Sequence, residues 1–201
     1  MNAVIMTNRL LLREFSHDDI SRIHEITREK FILKWMPDWE LPAENIADII
    51  DRHAGCAFDH DADHAMLALT LKDNGMIIGM IKYGPKQEVG NEIETAYFIS
   101  EKFSGKGYMS EAAAAFTEWA TVKKKIPRLI AIVEPENLAS QRIIEKSGFS
   151  KIRTIELVNS GETKPKSFFY YRFCGRKITI KDSQPENNPA PGLSPEPARY
   201  K

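Results

Sequence analysis

Cysteine is scarce in this 201-residue chain: Cys56 and Cys174 are the only two. Two thiols cannot make a disulfide framework in a chain of this size, and free thiols fit a reducing compartment, so a cytoplasmic setting is expected. A charge surplus is also missing, with 28 Lys+Arg against 28 Asp+Glu. Proteins that hold backbone phosphates nonspecifically carry a basic excess or a basic face, so no nucleic-acid partner is expected. No apolar run approaches the roughly 18 residues of a membrane span. Polar residues interrupt the first nine positions before a signal-type stretch can build, so no membrane partner and no export are expected. The chain has no C-x-x-C, no H-E-x-x-H and no G-x-x-x-x-G-K-[ST], which removes the common zinc sites and the nucleotide triphosphate loop. No repeat recurs at a solenoid period.

What is present describes a folding chain. Hydrophobic residues make up 42% and charged residues 28%, enough apolar material for a packed core. Residues 181–201 differ: they hold five of the eleven prolines and no Ile, Val, Phe or Trp. Nothing there offsets the entropy of ordering, so a Pro-rich disordered tail is expected after one domain over residues 1–180. Within that domain Leu10 to Glu14 reads as a strand. Ser16 then caps a helix with Ile20, Ile23 and Thr27 at helical spacing. Pro42, Ile46, Ile49, Ile50 and His53 mark a second helix that Gly55 stops. Met66–Leu71 and Met76–Tyr83 flank Asp73-Asn74-Gly75, a hairpin signal, and Ile93–Ile99 alternates as a further strand.

The segment Phe103-Ser104-Gly105-Lys106-Gly107-Tyr108-Met109-Ser110-Glu111-Ala112 runs from a strand through a glycine turn straight into a helix. Such a turn aims successive N–H groups at one spot, and the helix dipole adds to them, which suits phosphate oxygens, although an ordinary strand-to-helix loop accounts for these glycines equally. The helix extends to about Lys123, with Met109, Ala112, Ala113, Phe116 and Ala120 on its buried face, and Lys123-Lys124-Lys125 reads as its solvated end. Arg128–Val133 is a strand and Asn137–Ser147 a helix ended by Gly148. Lys151–Val158 and Lys166–Phe173 are two strands around a turn at Asn159-Ser160-Gly161. The order β-α-α-β-β-β-α-β-α-β-β belongs to an α+β class.

Three blocks in this order, Thr7-Asn8-Arg9-Leu10-Leu11-Leu12-Arg13, the Gly105–Ala112 turn, and Glu134-Pro135-Glu136-Asn137-Leu138-Ala139-Ser140 followed by Glu145-Lys146-Ser147-Gly148-Phe149, resemble the GNAT acetyltransferase superfamily. The likeness is strongest to its branch of ribosomal-protein N-terminal (alanine) acetyltransferases and covers residues 7–173. It implies a mixed, mostly antiparallel central sheet flanked by about four helices. It also implies acetyl-CoA as cosubstrate, with the pyrophosphate on the N–H groups of Gly105, Lys106, Gly107, Tyr108 and Met109. The pantetheine arm would lie as an extra strand along Phe98, Ile99 and Ser100, in a cleft between two splayed central strands. Asn137 would bond the arm from the far side, although an N-cap before Leu138 accounts for that residue equally.

Acetyl transfer to an amine needs an acceptor for the amine proton and a donor for the departing thiolate. Glu94 shares a strand face with Ala96 and Phe98 and stands where the family often has a carboxylate, so it is the candidate base. A solvated or arginine-paired rim glutamate is the plainer reading, and Glu92 is a weaker candidate on the same face. Ile144 occupies the place where many relatives carry a tyrosine acid. Ser140, four residues earlier on the same helical face, is the replacement donor that the resemblance implies, unless it bonds only its own backbone. Tyr97 and Tyr108 remain as alternatives, with Tyr97 alternating onto the strand face opposite Glu94.

Trp35 and Trp39, in a loop with Asp38 and Glu40, either border the acceptor amine or plug the helix pair. His53, Cys56, Asp59, His60, Asp61, Asp63 and His64 crowd one loop without a metal-ligand spacing, so no metal is expected. The sequence thus reads as an N-acetyltransferase that moves acetyl to a primary amine of a protein N-terminus or small molecule, by direct transfer in a ternary complex. The rival is an acetyl-CoA-binding regulatory module without turnover. Fold-level analogy adds an expectation of homodimer pairing through the last two strands.

Overall fold

A computed structural model describes residues 3–158 and 164–175. Eight strands run as β1 (Ala3–Met6), β2 (Leu10–Arg13), β3 (Ala65–Leu71), β4 (Ile77–Lys86), β5 (Glu92–Ile99), β6 (Leu129–Val133), β7 (Phe149–Leu157) and β8 (Lys166–Phe173). Five α-helices accompany them: α1 (Ile20–Thr27), α2 (Lys30–Leu33), α3 (Ala43–His53), α4 (Tyr108–Glu118) and α5 (Leu138–Lys146). The strands form one sheet in the order β1-β2-β3-β4-β5-β6-β8-β7, antiparallel throughout except where β5 meets β6. The expected mixed, mostly antiparallel α+β architecture is therefore present. The Pro-rich tail and the Asn159–Gly161 turn lie outside the described residues.

Alternation along the strands sends apolar side chains to both faces, so the sheet is covered on two sides. On one side Ile23 and Ile26 of α1, Ile32 of α2 and Ile46 and Ile50 of α3 pack on Met66, Ala68, Met80 and Phe98. On the other, Met109, Ala112, Ala113 and Phe116 of α4 and Ile144 of α5 meet Leu10, Leu12, Leu67, Leu69, Ile81 and Tyr83. Burying each such Leu, Ile or Phe contributes about 1.5–3 kcal/mol. The five positions expected on the buried face of α4 and its continuation are all buried.

Entry into α1 is fixed by charge as well as by the cap. Ser16 and Asp19 form a capping box, and Asp19 takes both terminal nitrogens of Arg13 at 2.7 and 2.9 Å. The pair is nearly enclosed, so each ion depends on the other and on the Ser16 N–H, which also donates to Asp19. The hairpin between β3 and β4 closes as expected, with Asn74 accepting the Met76 N–H and Gly75 donating to the Leu71 carbonyl.

The structure adds three elements to the expected order and corrects one residue. Ala3–Met6 form an additional edge strand against β2, α2 is a single extra turn, and α4 gives way at Glu118 to a wider turn over Trp119–Lys123. Lys124 is not part of a solvated helix end. It is buried, and its Nζ donates to the carbonyls of Cys56 at 3.0 Å and of Asp59, binding the 54–64 loop to the α4 layer.

Candidate active site

The turn entering α4 rests on two glycines and leaves backbone N–H groups without side-chain caps. Gly105 and Gly107 hold φ at +72° and +80°, left-handed values that cost an L side chain roughly 1–2 kcal/mol. Gly107 is the N-cap of α4 and no side chain caps this end. The N–H groups of the first turn therefore lack intrahelical acceptors and sit at the positive end of the helix dipole.

The turn is braced by a cluster that reading the glycines alone does not reveal. Glu111 accepts the Thr7 hydroxyl at 2.6 Å, the Arg9 N–H at 2.8 Å and Arg9 Nε at 2.7 Å. Burial pushes the Glu111 carboxyl up, and the bonds from Thr7 and Arg9 outweigh it and hold the group below the usual carboxylate range. Arg9 also donates Nη1 to the Lys106 carbonyl at 3.0 Å and lies 4.3 Å from the centre of the Tyr108 ring. Drawing the Lys106 carbonyl toward Arg9 turns the Gly107 N–H of the same trans peptide the opposite way. The sequence signal was Glu111 four residues after Gly107, together with Arg9 two residues after Thr7.

β5 and β6 pair in parallel only at Ile93–Leu129 and Glu94–Ile130. Beyond that point the strands part, and Thr95 to Ile99 have no β6 partner, so main-chain groups on this flank stand open. Phe98 and Ile99 lie on the open stretch. Ser100 is buried, and its N–H donates to the Ile78 carbonyl at 2.8 Å, on the β4 side.

The two faces of this opening carry different chemistry. On the α5 side the Tyr97 hydroxyl lies 2.9 Å from Ser140 Oγ and 3.3 Å from the Ser140 carbonyl. Burial drives the Tyr97 phenol far above its ordinary range, against the smaller opposite pull of Ser140, so it stays an O–H at physiological pH. Asn137 caps α5 by accepting the Ser140 N–H at 3.0 Å, which leaves its side-chain NH2 for another partner. Tyr108 stands apart from this group, clasped by Arg9 at the glycine turn.

On the opposite face lies Glu94, half-buried, with the Ile132 N–H of β6 on its carboxylate side. Burial raises its carboxyl above the ordinary range, and Lys86, Lys82 and the Ile132 N–H pull weakly the other way. Glu94 lines a cavity of about 310 Å³ with Lys82, Gly84, Pro85, Lys86, Gln87 and Glu88. Glu92 is engaged elsewhere, by Tyr170 Oη at 2.7 Å and Arg128 Nη1 at 3.2 Å.

Trp39 packs edge-on to Phe98 with ring centres 5.0 Å apart, and Trp35 lies under Lys34. Neither lines the Glu94 cavity. In the 53–64 loop, Cys56 Sγ is 3.3 Å from His64 Nε2, and His64 Nδ1 is 2.8 Å from Asp63. Burial, with Glu14 and Asp59 adding to it, pushes the Cys56 thiol up, the wrong direction for a thiolate nucleophile. Among the described residues no three His, Cys, Asp or Glu side chains converge as a metal site, and no helix is long and apolar enough to cross a membrane.

A glycine turn leading into a helix beside a parted strand pair follows the element order expected from the sequence, and comparison with known proteins identifies the family. A family model for the acetyltransferase (GNAT) domain matches residues 9–150. The chain belongs to the GNAT acetyltransferase family. As a GNAT enzyme it is an acetyl-CoA-dependent N-acetyltransferase. Among its relatives is an uncharacterized N-acetyltransferase, YnaD, of Bacillus subtilis strain 168, 29% identical over 148 residues, 73% of this chain and 82% of that protein. A GNAT-family acetyltransferase from Bacillus anthracis superposes with a TM-score of 0.70 at 26% identity, covering 84% of this chain and 96% of that one. RimL, a ribosomal L7/L12 alpha-N-protein acetyltransferase solved in complex with coenzyme A, gives a TM-score of 0.68 over 85% of this chain and 97% of its own. At 15% identity that last likeness is one of fold.

Proposed function

We propose that this GNAT enzyme transfers acetyl directly to a primary amine in a ternary complex, with Glu94 as the base and Ser140 as the hydroxyl that serves the sulfur. The observation that supports the reading is the parting of β5 and β6 just past Glu94, with Glu94 and Tyr97, whose hydroxyl meets Ser140, on opposite faces of β5. Acetyl-CoA supplies an activated acyl thioester. Its charges suit the uncapped amides of Gly105, Lys106, Gly107, Tyr108 and Met109, and its extended arm suits the open flank at Phe98 and Ile99. Asn137 has a side-chain NH2 available toward the same opening.

An acceptor amine must arrive neutral or lose a proton on the enzyme. Glu94, raised by burial, is a better match to an amine proton near neutrality than an exposed glutamate. Ser140 offers its hydroxyl from the α5 face. Tyr97 acts through it as a positioning residue, its O–H too weakly acidic to ionise and so held in the bond. Of Trp35 and Trp39, only Trp39 has a link to the site in this proposal, by supporting Phe98, which shares a strand face with Glu94. Placement in the ribosomal-protein branch rests on Thr7–Arg13, Asn137 and Ser140, and the acceptor class is a protein N-terminus or a small amine.

Free-thiol release from acetyl-CoA over a panel of primary amines tests the reading, with Glu94→Gln as the control. Turnover that the variant loses supports it. Tight acetyl-CoA binding with no thiol released from any amine would instead favour a binding module, the reading that Ile144 in place of a tyrosine recommends.

A further inference from the structure

The cavity at Glu94 has a charge pattern that a base alone does not require. Lys82, Gly84 and Lys86 occupy alternate positions of β4 and so share one face of the sheet, with Gly84 directly opposite Glu94 and Lys82 opposite Ala96. Gly84 carries no side chain, so nothing from β4 stands directly across from Glu94 between the two lysines, although a Cβ there would lie 3.4 Å from His64 Cβ. Lys86 is already paired with Glu88 at 3.3 Å. Lys82 is half-buried and forms no ion pair with Glu94 within 4.0 Å, although the two charges feel each other across the cavity. Arg52, from the end of α3, adds a third positive charge near Lys82. His53 beside it is held toward its neutral form by burial, so it does not add to them. Two lysines therefore face Glu88 and Glu94 across the cavity, and with Arg52 nearby the balance is positive even before Glu94 takes a proton.

We propose that this cavity is the acceptor pocket and that it takes a primary amine bearing an anionic group, a carboxylate or a phosphonate, on a neighbouring carbon. The inference rests on the acetyltransfer reading above and narrows its acceptor. Lys82 receives the anion while Glu94 faces the amine, so one small zwitterionic molecule bridges two groups that do not reach each other directly. A volume of about 310 Å³ holds a molecule of amino-acid size. A polyamine fits the charges poorly, because its second ammonium would meet Lys82, Lys86 or Arg52. An internal peptide bond in place of the anion would leave Lys82 half-buried without a counter-charge.

The test is free-thiol release with matched pairs: phenylalanine against phenethylamine and 2-aminoethylphosphonate against ethylamine, beside spermidine and a neutral tripeptide. The anion-bearing member of a pair is expected to have at least a 10-fold higher kcat/KM, and the two pairs separate carboxylate from phosphonate. Lys82→Met is expected to raise KM for that acceptor at least 10-fold while leaving KM for acetyl-CoA unchanged. Lys82→Arg, which keeps the charge, should restore most of the loss. Faster turnover of phenethylamine, spermidine or the tripeptide overturns the inference and leaves acetyl transfer standing. Absence of thiol release with every amine, despite acetyl-CoA binding, overturns both. An unchanged acceptor KM in a folded Lys82→Met enzyme overturns the role of Lys82 alone, and with it the anion site.

Discussion

Tyr97→Phe removes one oxygen from an enclosed site and leaves the ring packing in place. What is lost is the 2.9 Å bond to Ser140 Oγ and the weaker 3.3 Å contact with the Ser140 carbonyl. A neutral hydrogen bond contributes about 0.5–1.5 kcal/mol net, and half-buried Ser140 can turn its hydroxyl toward water, so a loss of about 1 kcal/mol is expected. Ser140→Ala is harsher because it strands the Tyr97 O–H inside the protein with only the longer carbonyl contact, which costs about 1–2 kcal/mol. In the double variant nothing is stranded. Its cost should therefore fall short of the sum of the single costs by about 0.5–1.5 kcal/mol. Urea unfolding of the four proteins measures this coupling, and thiol release measures its counterpart in catalysis. Ser140→Ala should lower kcat by about 10²-fold, the low end for a positioned proton donor. Tyr97→Phe should lower it less, and the double variant no further than Ser140→Ala. Since burial keeps the phenol protonated, the losses should be equal at pH 7 and pH 9. Additive stabilities, or a Tyr97→Phe enzyme with wild-type kcat, would refute the pairing of the two hydroxyls.

Gly107→Val puts a β-branched side chain at a φ of +80°, with its Cβ 3.4 Å from an Arg9 nitrogen. Coenzyme A affinity by calorimetry should fall at least 10-fold while circular dichroism stays native, and unchanged affinity would remove the turn from the phosphate site. Lys124→Met leaves the Cys56 and Asp59 carbonyls without their buried donor, for an expected loss of about 1–3 kcal/mol. At about 2–4 °C per kcal/mol the shift is measurable by calorimetry, and a wild-type Tm would mean that the loop finds other donors.

The sheet, its hairpin and the buried face of α4 were legible because period and turn chemistry are local signals. Asn74-Gly75 between two apolar runs determines one geometry, and Met109, Ala112, Ala113, Phe116 and Ala120 determine one helix face. The edge strand β1 at Ala3–Met6 was not legible, since a short apolar run carries no period until β2 stands beside it. Lys124 was misread for a related reason: a triple-lysine run looks solvated, and only the return of the 54–64 loop supplies the carbonyls that bury its middle member.

At the site, residue types were legible and pairings were not. The strand period placed Tyr97 and Glu94 on opposite faces, which from sequence alone counted against Tyr97. With the opening between β5 and β6 in view, opposite faces are what base and donor need. Arg9 and Glu111 are about a hundred residues apart, and their bond follows only from β2 lying beside α4. Lys82 and Lys86 gain meaning from the register that sets Gly84 against Glu94.

The pH dependence of kcat/KM for thiol release, in wild type and Glu94→Gln, tests the central claim most directly. A base must be ionised to act, and burial raises the Glu94 pKa, so activity should fall on the acid side through a midpoint above the 4.5 of an unperturbed glutamate. The sign for stability is opposite. A raised folded-state pKa disfavours the folded protein as pH rises through it, so Glu94→Gln should be at least as stable as wild type at pH 8. The account predicts a slower, equally stable variant whose acid limb is gone. A variant that keeps the wild-type limb and rate would contradict it and remove Glu94 from the reaction.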